Sequence, residues 1–189
     1  DNAQLPWETL QYFVARVVAA VHENSDVLTT VGNNVKWQTD LWDGGALNAF
    51  SDANLRAQYN DADAYLDVYS PHWYQWVVDW YGNPFASDTP ADYGLQGKPC
   101  IIGEAPANGV GGVSITDCFH NCYSNGWQGL FPWTSNGVDS NGSLDTGLGA
   151  ALTSFKNAHP ALVYPPAGTP VPTSPPTTAP TSAPTTAPT

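Results

Sequence analysis

After Pro6 the apolar residues Leu10, Phe13, Val14, Val17, Val18 and Val21 recur at steps of three and four, with Arg16 and Glu23 on the other side. That period predicts a helix over residues 7–23 with one buried stripe. The next apolar run, VLTTV at 27–31, is rich in β-branched residues and bounded by Asp26 and Gly32, which predicts a short buried strand. Three further runs have the same character: AYLDVY at 64–69, PCIIG at 99–103 and GLFPW at 129–133. Helices are predicted between and after them, at 51–59, 73–80, 114–125 and 146–158. The last carries Leu148, Ala151, Leu152 and Phe155 on one face.

Strand and helix therefore alternate four times. This order calls for parallel strands joined by crossover helices, in a doubly wound sheet or in a (β/α)8 barrel. The strand ends separate the two. Asn33, Lys36 and Trp37 follow the first run, His72, Trp73 and Tyr74 the second, Glu104 the third, and Trp133 and Thr134 close the fourth. Polar and aromatic groups gathered after successive strands are where barrel enzymes keep their chemistry. No Gly-rich phosphate fingerprint follows the first strand, and Gly109, Gly111 and Gly112 have no Lys after them, which argues against a nucleotide fold. The expected class is α/β, as part of a (β/α)8 TIM barrel.

Composition changes this picture at one end. Of 189 residues, the last 25 (165–189) hold nine of the 17 Pro and no charge, repeating Pro, Thr, Ser and Ala up to Thr189. Such a segment cannot bury a core and favours polyproline II, so residues 165–189 read as a disordered linker and 1–164 as one domain. A spacer implies something to space, and a further module beyond Thr189 is expected. Asn141-Gly142-Ser143 is a glycosylation sequon, in keeping with secretion to the extracellular space.

Five Lys+Arg against 17 Asp+Glu give a net charge of −12, with no basic run to hold a phosphate backbone. Nucleic acid and anionic membranes are excluded as natural partners. Cys100, Cys118 and Cys122 are odd in number, so at least one thiol lacks an intrachain partner, and three pairings, or none, are open. No second Cys or His pair completes a zinc set around Cys118 and Cys122, and no metal or cofactor is expected.

Glutamate is rare: Glu8, Glu23 and Glu104 are all there are. The first two sit on the predicted first helix, where surface charge is the ordinary explanation. Glu104 directly follows the most apolar strand, with Gly103 before it and Ala105-Pro106 after it. A carboxylate at the mouth of a buried strand is unfavourable unless it is paired or used.

The run GKPCIIGEAPA (97–107), with YSPHWY (69–74) one unit earlier and NGWQGLFPWTSNGVDSNGS (125–143) one unit later, resembles the clan-A glycoside hydrolases. Within the clan it is most similar to the cellulase and β-mannanase members of glycoside hydrolase family 5. LTTVGNNVKW (28–37) resembles the fifth strand and its loop, so the likeness covers residues 7–163 and maps the four units to strands five to eight.

The resemblance implies that Glu104 is the catalytic nucleophile, that Tyr74 donates its hydroxyl to it, and that His72 joins the same polar network or bonds sugar hydroxyls. It implies that Trp133 stacks on the sugar at the cleavage point and that Trp37 and Trp42 line outer subsites. It also implies a second Glu as acid/base, in an Asn-Glu pair after strand four, and this chain contains no Asn-Glu dipeptide. The acid is thus expected upstream of Asp1, and the chain by itself is expected to be inactive, with Asp40 and Asp43 as remote substitutes. The function implied is retaining endo-hydrolysis of a β-1,4-linked polysaccharide, mannan first and cellulose second, with a carbohydrate-binding module beyond the linker. A non-catalytic carbohydrate-binding or scaffold protein is the alternative.

Overall fold

The computed structural model describes residues 5–35 and 48–163. Four short strands form one parallel sheet in chain order: β1 (Gly32–Asn34), β2 (Ser70–His72), β3 (Ile101–Pro106) and β4 (Gly129–Trp133). Helices precede and separate them: α1 (Trp7–Asn24), α2 (Asp52–Gln58), α3 (Gln75–Tyr81), α4 (Ile115–Ser124), α5 (Leu148–Ala158) and the short α6 (Pro160–Val163). Ser51 and Ser114 open α2 and α4 by accepting the amides of Asn54 and Asp117, the first-turn donors that a helix leaves unpaired. Among the described residues no helix is long and apolar enough to cross a membrane.

The first two strands lie further along the chain than periodicity predicts. In the run 27–31, Val27 and Leu28 are 64% and 70% exposed, and the ladder starts only at Gly32. The run is instead held by one residue. Thr29 gives its amide and hydroxyl to the Asp67 carboxylate, and its carbonyl accepts the amides of Asp67 and Val68. In the run 64–69, Ala64 and Leu66 are buried, but pairing amounts to a single bridge from Tyr69 to Cys100 before β2 begins at Ser70. Side-chain type signalled burial here, whereas ladder position depends on which backbone groups a partner offers. The strands over 99–103 and 129–133 appear nearly in place, as β3 and β4.

Helix α1 also differs from its predicted stripe. Ala15, Val18 and Ala19 face the core, while Phe13 is 66% exposed and Val17 is exposed beside it. With Thr9, Tyr12, Arg16 and Ala20 these two line a shallow groove on the exposed side of the helix. The helix therefore has two apolar faces, of which the small-residue one is packed.

Under the sheet, Trp73 lies edge-on to Tyr93 (centroids 5.0 Å apart) and to Trp127 (5.4 Å), with Phe85, Leu95 and Ile102 fully enclosed nearby. The three cysteines are buried and free, so none of the disulfide pairings that spacing left open is formed. Burial pushes the Cys100 thiol up to about 12 and, as the largest influence, Cys118 to about 11. Two ion pairs fasten the strand bases: Lys98 reaches Asp52 on α2 and the Leu66 carbonyl, and His22 near the end of α1 reaches Asp67.

Candidate active site

The site grows out of strand register. His72, the last residue of β2, is the Cα partner of Glu104 on β3, and paired residues on adjacent strands point to the same side of a sheet. Two glycines make room for the imidazole. A Cβ at Gly32 on β1 would lie 2.6 Å from His72 Nε2, and one at Gly103 on β3 would lie 2.0 Å from Ser70 Oγ and 3.2 Å from His72 Cδ2. The ring thus occupies space that only glycine leaves on both neighbouring strands. Trp73 then turns into the core, its amide bonded to the Glu104 carbonyl at 2.9 Å, and Tyr74 comes back to the site two residues on.

Glu104 receives one donor on each oxygen. Tyr74 donates its hydroxyl to Oε1 at 2.5 Å, and His72 Nδ1 lies 2.7 Å from Oε2. About a quarter of each of the two side chains is exposed, 26% for His72 and 23% for Glu104, so the group is sheltered yet reachable. Burial lowers the His72 pKa, with the Glu104 charge opposing it. The ring is then neutral at neutral pH, and a neutral imidazole facing a carboxylate through Nδ1 carries its proton there. Burial first, then the bond to Glu104, raises the Tyr74 phenol far above its usual range, so it remains a donor. The result is a carboxylate held by two donors in a fixed orientation, the arrangement suited to in-line attack.

Trp133 ends β4 opposite Pro106, two residues past Glu104, and its carbonyl accepts the Ala107 amide at 2.8 Å. The indole is 40% exposed, and the peptide bond to Thr134 is cis. Its Nε1–H donates to Asp139 Oδ2 at 3.2 Å. Asp139 had no place in the sequence reading, although its charge acts on Tyr74 as well. Its only mark in the sequence is membership of a turn-rich NGVDSNGS run, and nothing local to that run tells which side chain turns back. Trp37, Trp42, Lys36, Asp40 and Asp43 lie outside the described residues. Among the described residues no three His, Cys, Asp or Glu side chains cluster as metal ligands would.

No family model matches the chain. It is 29% identical over 138 residues to a mannan endo-1,4-beta-mannosidase of Mytilus edulis, covering 70% of this chain and 36% of that protein. A mannan endo-1,4-beta-mannosidase of Cryptopygus antarcticus is 26% identical over 136 residues, 70% of this chain and 35% of that one. Among solved structures, the endo-1,4-beta-mannanase of Eisenia fetida superposes with a TM-score of 0.66 at 29% identity, covering 80% of this chain and 42% of that chain. The β-mannanase of Mytilus edulis gives 0.67 at 25% identity, with the same coverage. The chain is thus homologous to mannan endo-1,4-beta-mannosidases over about 70% of its length, and it spans about a third of the curated relatives it matches. Its fold is α/β, part of a (β/α)8 barrel, and its relatives are glycoside hydrolases.

Proposed function

We propose that this chain is the nucleophile-bearing part of a retaining endo-β-1,4-glycanase, with mannan as first substrate and cellulose as second. The observation that carries the reading is the pair of donors, Tyr74 and His72, closing on the two oxygens of Glu104. In this mechanism a Glu104 oxygen attacks the anomeric carbon as the glycosidic C–O bond breaks, and an acid protonates the departing oxygen. A glycosyl ester forms, and water then hydrolyses it, releasing Glu104 as a carboxylate. Tyr74 and His72 hold the attacking group, and the exposed face of Trp133 receives the apolar side of the sugar. Retention needs a second carboxylic acid roughly 5–5.5 Å from the first. Glu8 and Glu23 lie exposed on α1, and the reading assigns that acid to a residue outside this chain.

The same reading makes residues 1–164 part of a secreted catalytic barrel. It makes 165–189 a linker to a carbohydrate-binding module.

An activated glycoside with a 2,4-dinitrophenolate leaving group tests the nucleophile directly, because such a group departs without an acid. The 189-residue chain incubated with a 2-deoxy-2-fluoro-mannobioside of this type should gain one glycosyl mass on the peptide containing Glu104. Glu104→Gln should gain none. A folded chain that stays unlabelled at Glu104 but binds manno-oligosaccharide would favour a non-catalytic binder and sink the proposal.

A further inference from the structure

Beyond β4 the chain does not leave the site directly; it makes a compact excursion over residues 134–147. The loop is tied at several points. Thr134 Oγ1 donates to Asn136 Oδ1 at 3.2 Å, Asn136 and Ser143 form an antiparallel bridge, and the Leu144 amide bonds the Ser135 carbonyl at 3.2 Å. Gly142 presses against the β3–α4 connection so closely that a Cβ would sit 2.8 Å from the Asn108 amide nitrogen.

Inside this frame Asp139 and Ser140 are both left-handed, at φ 62° and 59°. Two successive residues with side chains are uncommon in that region, and they persist where the surroundings over-determine them. The consequence is directional. The Asp139 carboxylate turns back toward β4 and accepts the Trp133 indole N–H.

We propose that Asp139 is a positioning residue of the sugar subsite: by accepting Nε1–H it fixes the rotation of the Trp133 ring, so that its face is presented beside Glu104 before any sugar arrives. The inference rests on Trp133 being the stacking platform of the proposed glycanase. The outer torsion of a Trp side chain is broad and roughly two-fold, so a half-exposed indole without an edge partner samples several planes. Stacking needs one plane, and a ring already held in it loses less freedom on binding. A carboxylate acceptor makes the stronger, charge-assisted form of the bond. The Asp139 charge also acts on the Tyr74 phenol, the nucleophile's own donor.

The test uses the uniformly 15N-labelled 189-residue chain. The Trp133 indole resonance is assigned by its disappearance in Trp133→Phe. Asp139→Asn tolerates the left-handed backbone and still offers a carbonyl acceptor, so the resonance should keep its hydrogen-bonded position and its slow exchange. Asp139→Gly fits the backbone and offers no acceptor; the indole N–H should then exchange with water about tenfold faster.

Mannohexaose binding, followed by tryptophan fluorescence, should weaken about tenfold in Asp139→Gly and less than about twofold in Asp139→Asn, with far-ultraviolet circular dichroism unchanged. Equal indole exchange rates in wild type and Asp139→Gly, or mannohexaose bound equally well by the two, would overturn the role of Asp139 alone. Failure of the wild-type chain to bind mannohexaose would overturn the sugar-subsite reading together with it.

Discussion

His72 and Glu104 face each other across the β2–β3 ladder, with Nδ1 2.7 Å from Oε2, so their contact follows from strand register and not from a loop. A site built on paired strands is held by the backbone of the sheet. Its precision therefore depends on the spacing of β1, β2 and β3.

Tyr74 gives Glu104 its shorter bond, 2.5 Å, through a phenol that keeps its proton. A hydrogen bond to a charged group contributes about 1.5–3 kcal/mol. Tyr74→Phe should accordingly slow glycosylation of Glu104 by the fluorosugar about 10- to 100-fold while leaving the melting temperature within a few degrees. An unchanged labelling rate would show that this bond does not orient the nucleophile.

Gly103 tests the packing that seats His72. A methyl group there would meet Ser70 Oγ at 2.0 Å, well inside contact distance, and the strands must part to admit it. Gly103→Ala should cost about 1–3 kcal/mol, the usual range for overpacking, and should disturb the His72–Glu104 pair. Ser70→Ala in the same chain removes the clashing hydroxyl and should recover part of the loss in urea unfolding. No recovery would locate the strain elsewhere.

Stability should depend on pH through His22 and Asp67. Burial pulls the His22 pKa down, but the Asp63 carbonyl and the Asp67 carboxylate outweigh it and leave it raised above 6.5. Burial raises Asp67, but the Thr29 amide and the bond from His22 prevail and leave it below 3.8. A raised histidine contributes fully below 6.5 and loses its contribution as pH climbs through the higher folded value. A depressed aspartate contributes fully above 3.8 and loses its contribution as pH falls through the lower folded value. Melting temperature should therefore be highest between these limits, and His22→Gln should flatten the decline on the alkaline side. An equal alkaline decline in that variant would contradict a stabilising role for the His22–Asp67 pair.

The two ends of the sheet should make the isolated chain associate. The α1 groove carries Phe13 and Val17, and a groove of about 480 Å³ beside β4 is lined by Phe131, Phe155 and Leu162 among others. Edge strands flanked by apolar grooves invite further pairing. Sedimentation at micromolar concentration should show a broad, concentration-dependent distribution, reduced by Phe13→Glu with Phe131→Lys. A sharp monomer would show that these faces need no cover.

The amino-acid sequence alone determined the alternation of strand and helix and the parallel sheet it requires, and it placed His72, Tyr74, Glu104 and Trp133 each at or beside a short apolar run. These features are local, written within one helical turn or one strand. Tertiary structure decided what depends on residues far apart. The β-branched run 27–31 lost its ladder to the segment beginning at Gly32, because Asp67, 38 positions beyond Thr29, takes its amide and hydroxyl. Phe13 and Val17 are exposed because α1 turns Ala15, Val18 and Ala19 inward and packs against α2. Asp139 turns toward Trp133 because a bridge from Asn136 to Ser143 and the contact of Gly142 with Asn108 set the backbone between them. Periodicity records which residues prefer burial or a given backbone shape, and only the folded chain supplies the partner that selects among those preferences.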